Sequence, residues 1–182
     1  METRDIELML MRTWPAIEER IYDGWVLRFS KGYTKRSNCI NPLYESYFDL
    51  EEKFEYCRKI YKEKRLPIIY KLIDTEVSLM VDEFLEKKGL KKQDMVTVKE
   101  IDLTDVDYNL KSISINWGFS KEWYDFYTAE NNLNTEEKDI LKKLLEKNDK
   151  NNVYVYKSIN NEIIAVAMGS VEKKEWEFLM CM

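Results

Sequence analysis

In G-W-V-L-R-F-S (residues 24–30), Trp25, Leu27 and Phe29 fall on one side of an extended chain and Val26, Arg28 and Ser30 on the other. That period of two predicts a half-buried strand. S-N-C-I-N-P-L-Y (37–44) predicts a second, weaker strand, and the joint K-G-Y-T-K (31–35) between them carries Gly32, which tolerates the positive φ of a hairpin turn. The period then lengthens. Leu50, Phe54, Cys57 and Tyr61 recur at four, three and four residues, the spacing of an amphipathic helix with one apolar face. Pro67 opens P-I-I-Y-K-L-I, a short run of strand type. A second helix follows, with Val77, Met80, Val81, Phe84 and Leu85 on one stripe and Gly89 as its stop, and D-M-V-T-V-K-E-I-D-L (94–103) predicts another strand. With a brief helix around Arg4 to Arg12 in front, residues 1–105 read β-β-α-β-α-β.

Beyond the polar connector T-D-V-D-Y-N-L-K-S (104–112), a helix is expected from a Ser120 cap. A surer one follows: Asn134 can cap it, Glu137 sits at its third position, and Ile140, Leu141, Leu144 and Leu145 form the buried stripe. N-V-Y-V-Y-K-S-I and E-I-I-A-V-A-M-G-S-V predict two strands joined across Asn160 and Asn161, residues that accept the left-handed region of a tight turn. E-W-E-F-L-M-C-M predicts a last strand, so residues 106–182 read α-α-β-β-β. The two parts describe two incomplete copies of one mixed α/β plan. Phe178 to Met182 are apolar throughout, and a terminal strand of that kind would expose both an edge and an apolar face. Pairing of that edge with another copy, a homo-oligomer, is the expected consequence.

Composition narrows the chemistry. With 29 basic against 34 acidic residues the net charge is -5, which gives no field to draw the chain to a nucleic acid backbone. No window approaches ~20 uninterrupted apolar residues, and the N-terminus lacks a basic region followed by a small-residue cleavage site, so a cytoplasmic protein without membrane partners is expected. Cys39, Cys57 and Cys181 are unevenly spaced and form no C-x-x-C pair, which predicts buried free thiols. There is no histidine. Serine–histidine and cysteine–histidine nucleophiles, histidine bases and the usual zinc sites are thereby removed, leaving carboxylates, tyrosines, backbone dipoles or a bound cofactor to carry any reaction. Arg28, Thr34, Arg36 and Asn38 cluster on or beside the first predicted hairpin, where they could converge on an acidic or amide-bearing ligand. A structural use stays open beside that one: Thr34 and Asn38 can satisfy turn backbone, and the arginines can pair with carboxylates.

Gly24, Trp25, Arg28, Gly32, Thr34, Arg36, Asn38 and Pro42 follow the pattern G-W-x-x-R, then G-x-T-x-R-x-N, then P. In this the chain resembles a bacterial tandem-lobe branch of the GNAT superfamily of acyl-CoA N-acyltransferases. The resemblance implies a degenerate first lobe (1–105) and the front part of a second (106–182). It also implies an acetyltransferase that moves the acetyl group of acetyl-CoA to an amine, whether small molecule or peptide. In that family the strand matching E-W-E-F-L-M-C-M leads into an R-G-x-G-x-G loop that cradles the cofactor's pyrophosphate. These 182 residues contain no such loop, so the chain is expected to be weak or inactive alone, and its binding of acetyl-CoA is in doubt. N-P-L-Y-E-S-Y-F-D-L, at the corresponding place in the first lobe, has no glycine and is not expected to bind a pyrophosphate in the usual way. Glu177 lies four residues before Cys181, a spacing similar to that of histone-acetylating members, which makes Glu177 the implied base and the Cys181 backbone the implied oxyanion donor. Met180, Cys181 and Met182 would pair their backbone with the pantetheine arm. The alternative is a non-catalytic ligand-binding or interaction module on the same scaffold.

Overall fold

The first hairpin turns on two residues. In the computed structural model, which describes residues 2–102, 111–147, 149–173 and 176–180, strand β1 (Glu18–Tyr22) and strand β2 (Trp25–Phe29) pair antiparallel around Asp23 and Gly24. Asp23 (φ 41) and Gly24 (φ 78) both take positive φ, the backbone that a two-residue primed turn requires. The Gly24 carbonyl accepts from the N–H groups of Leu43 (3.3 Å) and Tyr44 (3.1 Å). A Cβ at residue 24 would sit 2.2 Å from the Glu45 carbonyl oxygen and 2.7 Å from that of Tyr44, so glycine is needed for space as well as for φ. The expected turn at Gly32 lies within the longer connection, residues 30–39, that leads from β2 to its antiparallel partner β3 (Ile40–Pro42).

Pro42 has no N–H to give, and β3 is only three residues long. The segment 67–73 is therefore not the ladder strand expected of it. It makes one parallel bridge, Ile40 to Tyr70, with Ile40 N–H donating to Ile69 O (2.8 Å) and Lys71 N–H to Ile40 O (2.9 Å). Residues 94–102, the described part of the strand expected over 94–103, also depart from expectation: they join no ladder among the described residues, and Met95 is 95% exposed. Alternation alone makes no strand without a partner edge, and Asp94 (φ 54) enters the segment in the left-handed region.

Helix α1 (Thr3–Thr13) precedes β1, and helices α2 (Leu50–Glu63) and α3 (Glu76–Lys87) follow β3. The Asp49 side chain caps α2 through the Glu51 N–H, and Thr75 caps α3 through Ser78. Leu27, Phe29 and Ile40 pack with Phe54, Cys57 and Tyr61 of α2 and with Val81 and Leu85 of α3. Met80, expected on that stripe, is 64% exposed; Val81 and Leu85 are buried in the core and Phe84 packs against its edge. β2 is buried on both faces rather than one, since Val26 packs under Met11 of α1 and Leu43. At about 1.5–3 kcal/mol for each large apolar side chain fully removed from water, Trp25, Leu27 and Ile40, all at 0% exposure, anchor this part of the chain.

The second sheet has the order β4-β5-β6-β7, antiparallel throughout: β4 (Ile113–Trp117), β5 (Asn152–Ile159), β6 (Glu162–Lys173) and β7 (Trp176–Met180). β4 was not expected; it stands before helices α4 (Lys121–Glu130) and α5 (Thr135–Lys147). Asn160 (φ 52) and Asn161 (φ 67) make the β5–β6 turn as the sequence predicts. So does the α5 capping box, in which Glu137 N–H donates to Asn134 Oδ1 (3.0 Å) and Asn134 N–H to Glu137 Oε2 (2.9 Å). Ser120 accepts from Trp123 N–H at the start of α4. Tyr154 and Met168 pack on Trp123, Leu141, Leu144 and Leu145, so α4 and α5 cover one face of the sheet. On the other face Ile115 is 48% and Trp117 66% exposed. Trp14 and Tyr33 also enter this second core, and Lys147 Nζ donates to the carbonyls of Ala16 and Ile17 at 2.6 Å each, which ties α5 to the segment before β1.

A Gly24→Ala substitution tests the turn. It should lower the free energy of unfolding by on the order of 2–3 kcal/mol, measured by chemical denaturation, since it adds backbone strain to an overlap with the 44–45 carbonyls.

Candidate functional site

The residues read as candidates fall in two places, and the first is a knot beside β2. Arg28 points inward and is almost wholly buried. Its Nε donates to Glu19 Oε1 (3.0 Å), Nη1 to the Arg36 carbonyl (2.7 Å), and Nη2 to the carbonyls of Met11 (3.0 Å) and Trp14 (2.6 Å). Asn38 satisfies the bend on both ends of its amide. Oδ1 accepts from Ser30 N–H (2.7 Å) and Gly32 N–H (3.0 Å), while Nδ2 donates to the carbonyls of Tyr33 and Thr34 at 2.8 Å each. Thr34, a β-branched residue at φ 58, is held there by Trp14 Nε1 donating to its Oγ1 (3.1 Å) and by Ser37 Oγ at 2.9 Å. Arg36 has an exposed side chain and enters the knot through its carbonyl, which also accepts from Cys39 Sγ.

Sequence spacing thus brought Arg28, Thr34, Arg36 and Asn38 together, and the structure gathers them. Of the two uses left open by the sequence, the structural one describes every polar contact of Arg28, Asn38 and Thr34 given above: each is made to the chain itself.

The second place is the β6–β7 ladder. Glu177 stands opposite Val171 and Met180 opposite Met168, and the register slips between Val171 and Lys173, next to Glu177. The extra residue, Glu172, lies on β6, so the bulge belongs to β6 and not to β7. Cys181 and Met182 lie outside the described residues. β7 is the last strand in the order, so its far side joins no ladder among the described residues.

A third feature escaped the sequence reading. Between α1 and the C-terminal end of α5 lies a cleft of ≈ 270 Å³ with Leu8, Met11 and Pro15 as apolar walls and Arg12, Glu19 and Lys147 at its rim. Glu19 is pinned from beneath by Arg28 yet has a side chain 44% exposed, so it presents a fixed carboxylate to the cleft. Glu19 and Lys147 are far apart in sequence, and no local pattern links them.

The two described cysteines offer no nucleophile. Cys39 and Cys57 are buried and free. Burial pushes the Cys57 thiol up to about 12, and burial also raises Cys39 despite the nearby charge of Arg28.

The geometry therefore defines a mixed α/β protein with two antiparallel sheets, each packed by helices, in which the first is knotted by internal polar contacts. Residues 1–172 match the model of the family described as "Probable histone acetyltransferase Rv0428c C-terminal", and the chain belongs to that family. The family's description is that of an acetyltransferase, so the chain is acetyltransferase-related. Comparisons with curated proteins and with solved structures give no match.

Asn38→Ala would leave the buried Ser30 N–H and the part-buried Gly32 N–H and Thr34 carbonyl without this partner, while the Tyr33 carbonyl keeps Ser37 Oγ at 2.6 Å. At about 1–3 kcal/mol for each unsatisfied buried group, partly relieved by water, the expected loss of stability is roughly 3 kcal/mol by chemical denaturation without any ligand. Unchanged stability would mean that the knot does not hold this bend.

Proposed function

We propose that the chain serves an acetyl-CoA-dependent N-acetyltransferase of the GNAT type, with an amine as acceptor and β7 as the strand that carries the reacting groups. The family match over residues 1–172 is the observation that carries this reading. The β4-β5-β6-β7 order under α4 and α5 supports it.

Acetyl-CoA, when bound, supplies an activated acetyl thioester. The residues suit its amide-bearing arm: β7, which ends at Met180, has a side that joins no ladder among the described residues, where backbone groups can pair whatever the side chains. They do not suit its diphosphate, since the five glycines are scattered at 24, 32, 89, 118 and 169. No step is assigned to that part. Glu177 takes the proton released by the attacking amine nitrogen, a task that falls to a carboxylate in a chain without histidine. The Cys181 N–H donates to the oxygen on which negative charge develops.

A second reading, a binding module without transfer, draws on the cleft beside α1. Apolar walls with the Glu19 carboxylate beside Arg12 and Lys147 suit a ligand that carries both an amine and an acidic group, and Glu19 would hold the amine without any acyl donor.

Calorimetric titration separates the two. Acetyl-CoA should give a saturable heat at millimolar concentration, and transfer to a lysine-containing peptide, followed by thiol release, should fall at least ~100-fold in Glu177→Gln with the cofactor heat unchanged. No heat and no thermal shift with acetyl-CoA would remove the catalytic reading for this chain; heat with the peptide alone, lost in Glu19→Gln, would then favour the module.

A further inference from the structure

Where the chain leaves β3 and turns toward α2, several donors converge on one carboxylate. Asp23, in the β1–β2 turn, accepts from Ser46 Oγ at 2.6 Å, from the Tyr47 N–H at 3.0 and 3.1 Å on its two oxygens, and from the Phe48 N–H at 2.9 Å. Lys53, in the first turn of α2, brings its ammonium to 3.1 Å from Asp23 Oδ2 and 2.5 Å from Ser46 Oγ. The same ammonium donates to the Asp23 backbone carbonyl and lies 4.2 Å over the Trp25 ring. The Lys53 side chain is 0% exposed and that of Asp23 7%.

An ion pair needs only two charged groups. This one adds two successive backbone N–H groups and a hydroxyl, all aimed at the same two oxygens, and that set of donors is the one with which proteins receive a free oxyanion. The donors come from residues 46–48 and from α2, whereas the anion comes from a turn on the other side of the loop. Receptor and occupant are separate pieces of chain. Partial burial on its own would raise the Asp23 carboxyl; the hydrogen bonds from Ser46, Tyr47, Phe48 and Lys53 outweigh it and hold Asp23 well below the usual carboxylate range. Burial pulls the Lys53 ammonium down, with Asp23 opposing.

We propose that Ser46, the Tyr47 and Phe48 N–H groups and Lys53 form a receptor for a carboxylate- or phosphate-class oxyanion, which the chain keeps closed with its own Asp23. The receptor stands on these contacts alone and is independent of the acetyltransferase reading. Asp23 already takes φ 41, a conformation glycine adopts freely, so Asp23→Gly removes the occupant without opposing the turn.

The test is chemical rescue of that variant. Thermal unfolding of Asp23→Gly should begin below that of the parent and rise saturably with added formate or inorganic phosphate, as an equilibrium ligand requires. The parent, already filled, should not respond, and Lys53→Met in the Asp23→Gly background should abolish the response. Rescue by formate alone would assign the receptor to carboxylates, and rescue by phosphate would assign it to phosphate groups. Should Asp23→Gly fold only when one of these anions is present, the same conclusion holds. No saturable shift with either anion, or an equal shift in the parent or in the Lys53→Met background, overturns the proposal. If Asp23→Gly fails to fold with either anion while the isosteric Asp23→Asn folds, it is overturned likewise.

Discussion

A guanidinium with almost no access to water is tolerable only if its charge and its N–H groups are met inside the protein, and Arg28 is met by four groups from three parts of the chain. Glu19 on β1 supplies the countercharge. The Arg36 carbonyl comes from the turn after β2, and the carbonyls of Met11 and Trp14 come from the end of α1, where a helix leaves carbonyls without intrahelical partners. One side chain therefore fixes how α1 ends and where it lies over β2. That placement reaches further: Trp14, whose carbonyl Arg28 holds, has its ring in the core formed by α4, α5, β5 and β6. Arg28 thus links a side chain of the first sheet to the packing of the second.

The parts of this architecture that were legible in the sequence are those fixed by local chemistry. Asn134 with Glu137, Asn160 with Asn161, and the four-three-four spacing of α2 each describe contacts within a few residues, and each is found as read. The failures are of another kind. Residues 94–101 have the alternation of a strand but join no ladder among the described residues, which no periodicity can reveal. The joint read at Gly32 is found between the antiparallel strands β2 and β3, with Gly32 at φ 87, whereas β1 went unread: E-E-R-I-Y has no apolar alternation, and only Asp23-Gly24 marked its turn. β4 is five residues long, and I-S-I-N-W next to a polar connector gave little to read.

The candidate residues divide in the same way. Arg28, Thr34, Arg36 and Asn38 could be grouped because they share one bend, but sequence cannot say whether a polar side chain on a strand points to water or to the chain's own carbonyls. Val26 and Arg28 decide it: their face of β2 is covered by α1, so the arginine is enclosed with the helix end. Glu19 and Lys147 at the cleft, and Asp23 with Lys53, are brought together by tertiary packing across long stretches of sequence.

From this follows a division of labour between the sheets. In the first, the arginine, the asparagine and the turn aspartate are all held by internal partners, and the two described thiols are buried. Groups so fully paired hold a scaffold in place, because recruiting any of them for a ligand would leave a buried donor or acceptor unmet. The second sheet has one face under α4 and α5, a second on which Ile115 and Trp117 meet water, and β7 at the end of its order. Among the described residues, one side of β7 joins no ladder and Ile115 and Trp117 keep part of the second face in contact with water, so a ligand meeting them there would break none of the polar contacts that hold the first sheet. That asymmetry is the physical ground on which the proposal of β7 as the reacting strand rests.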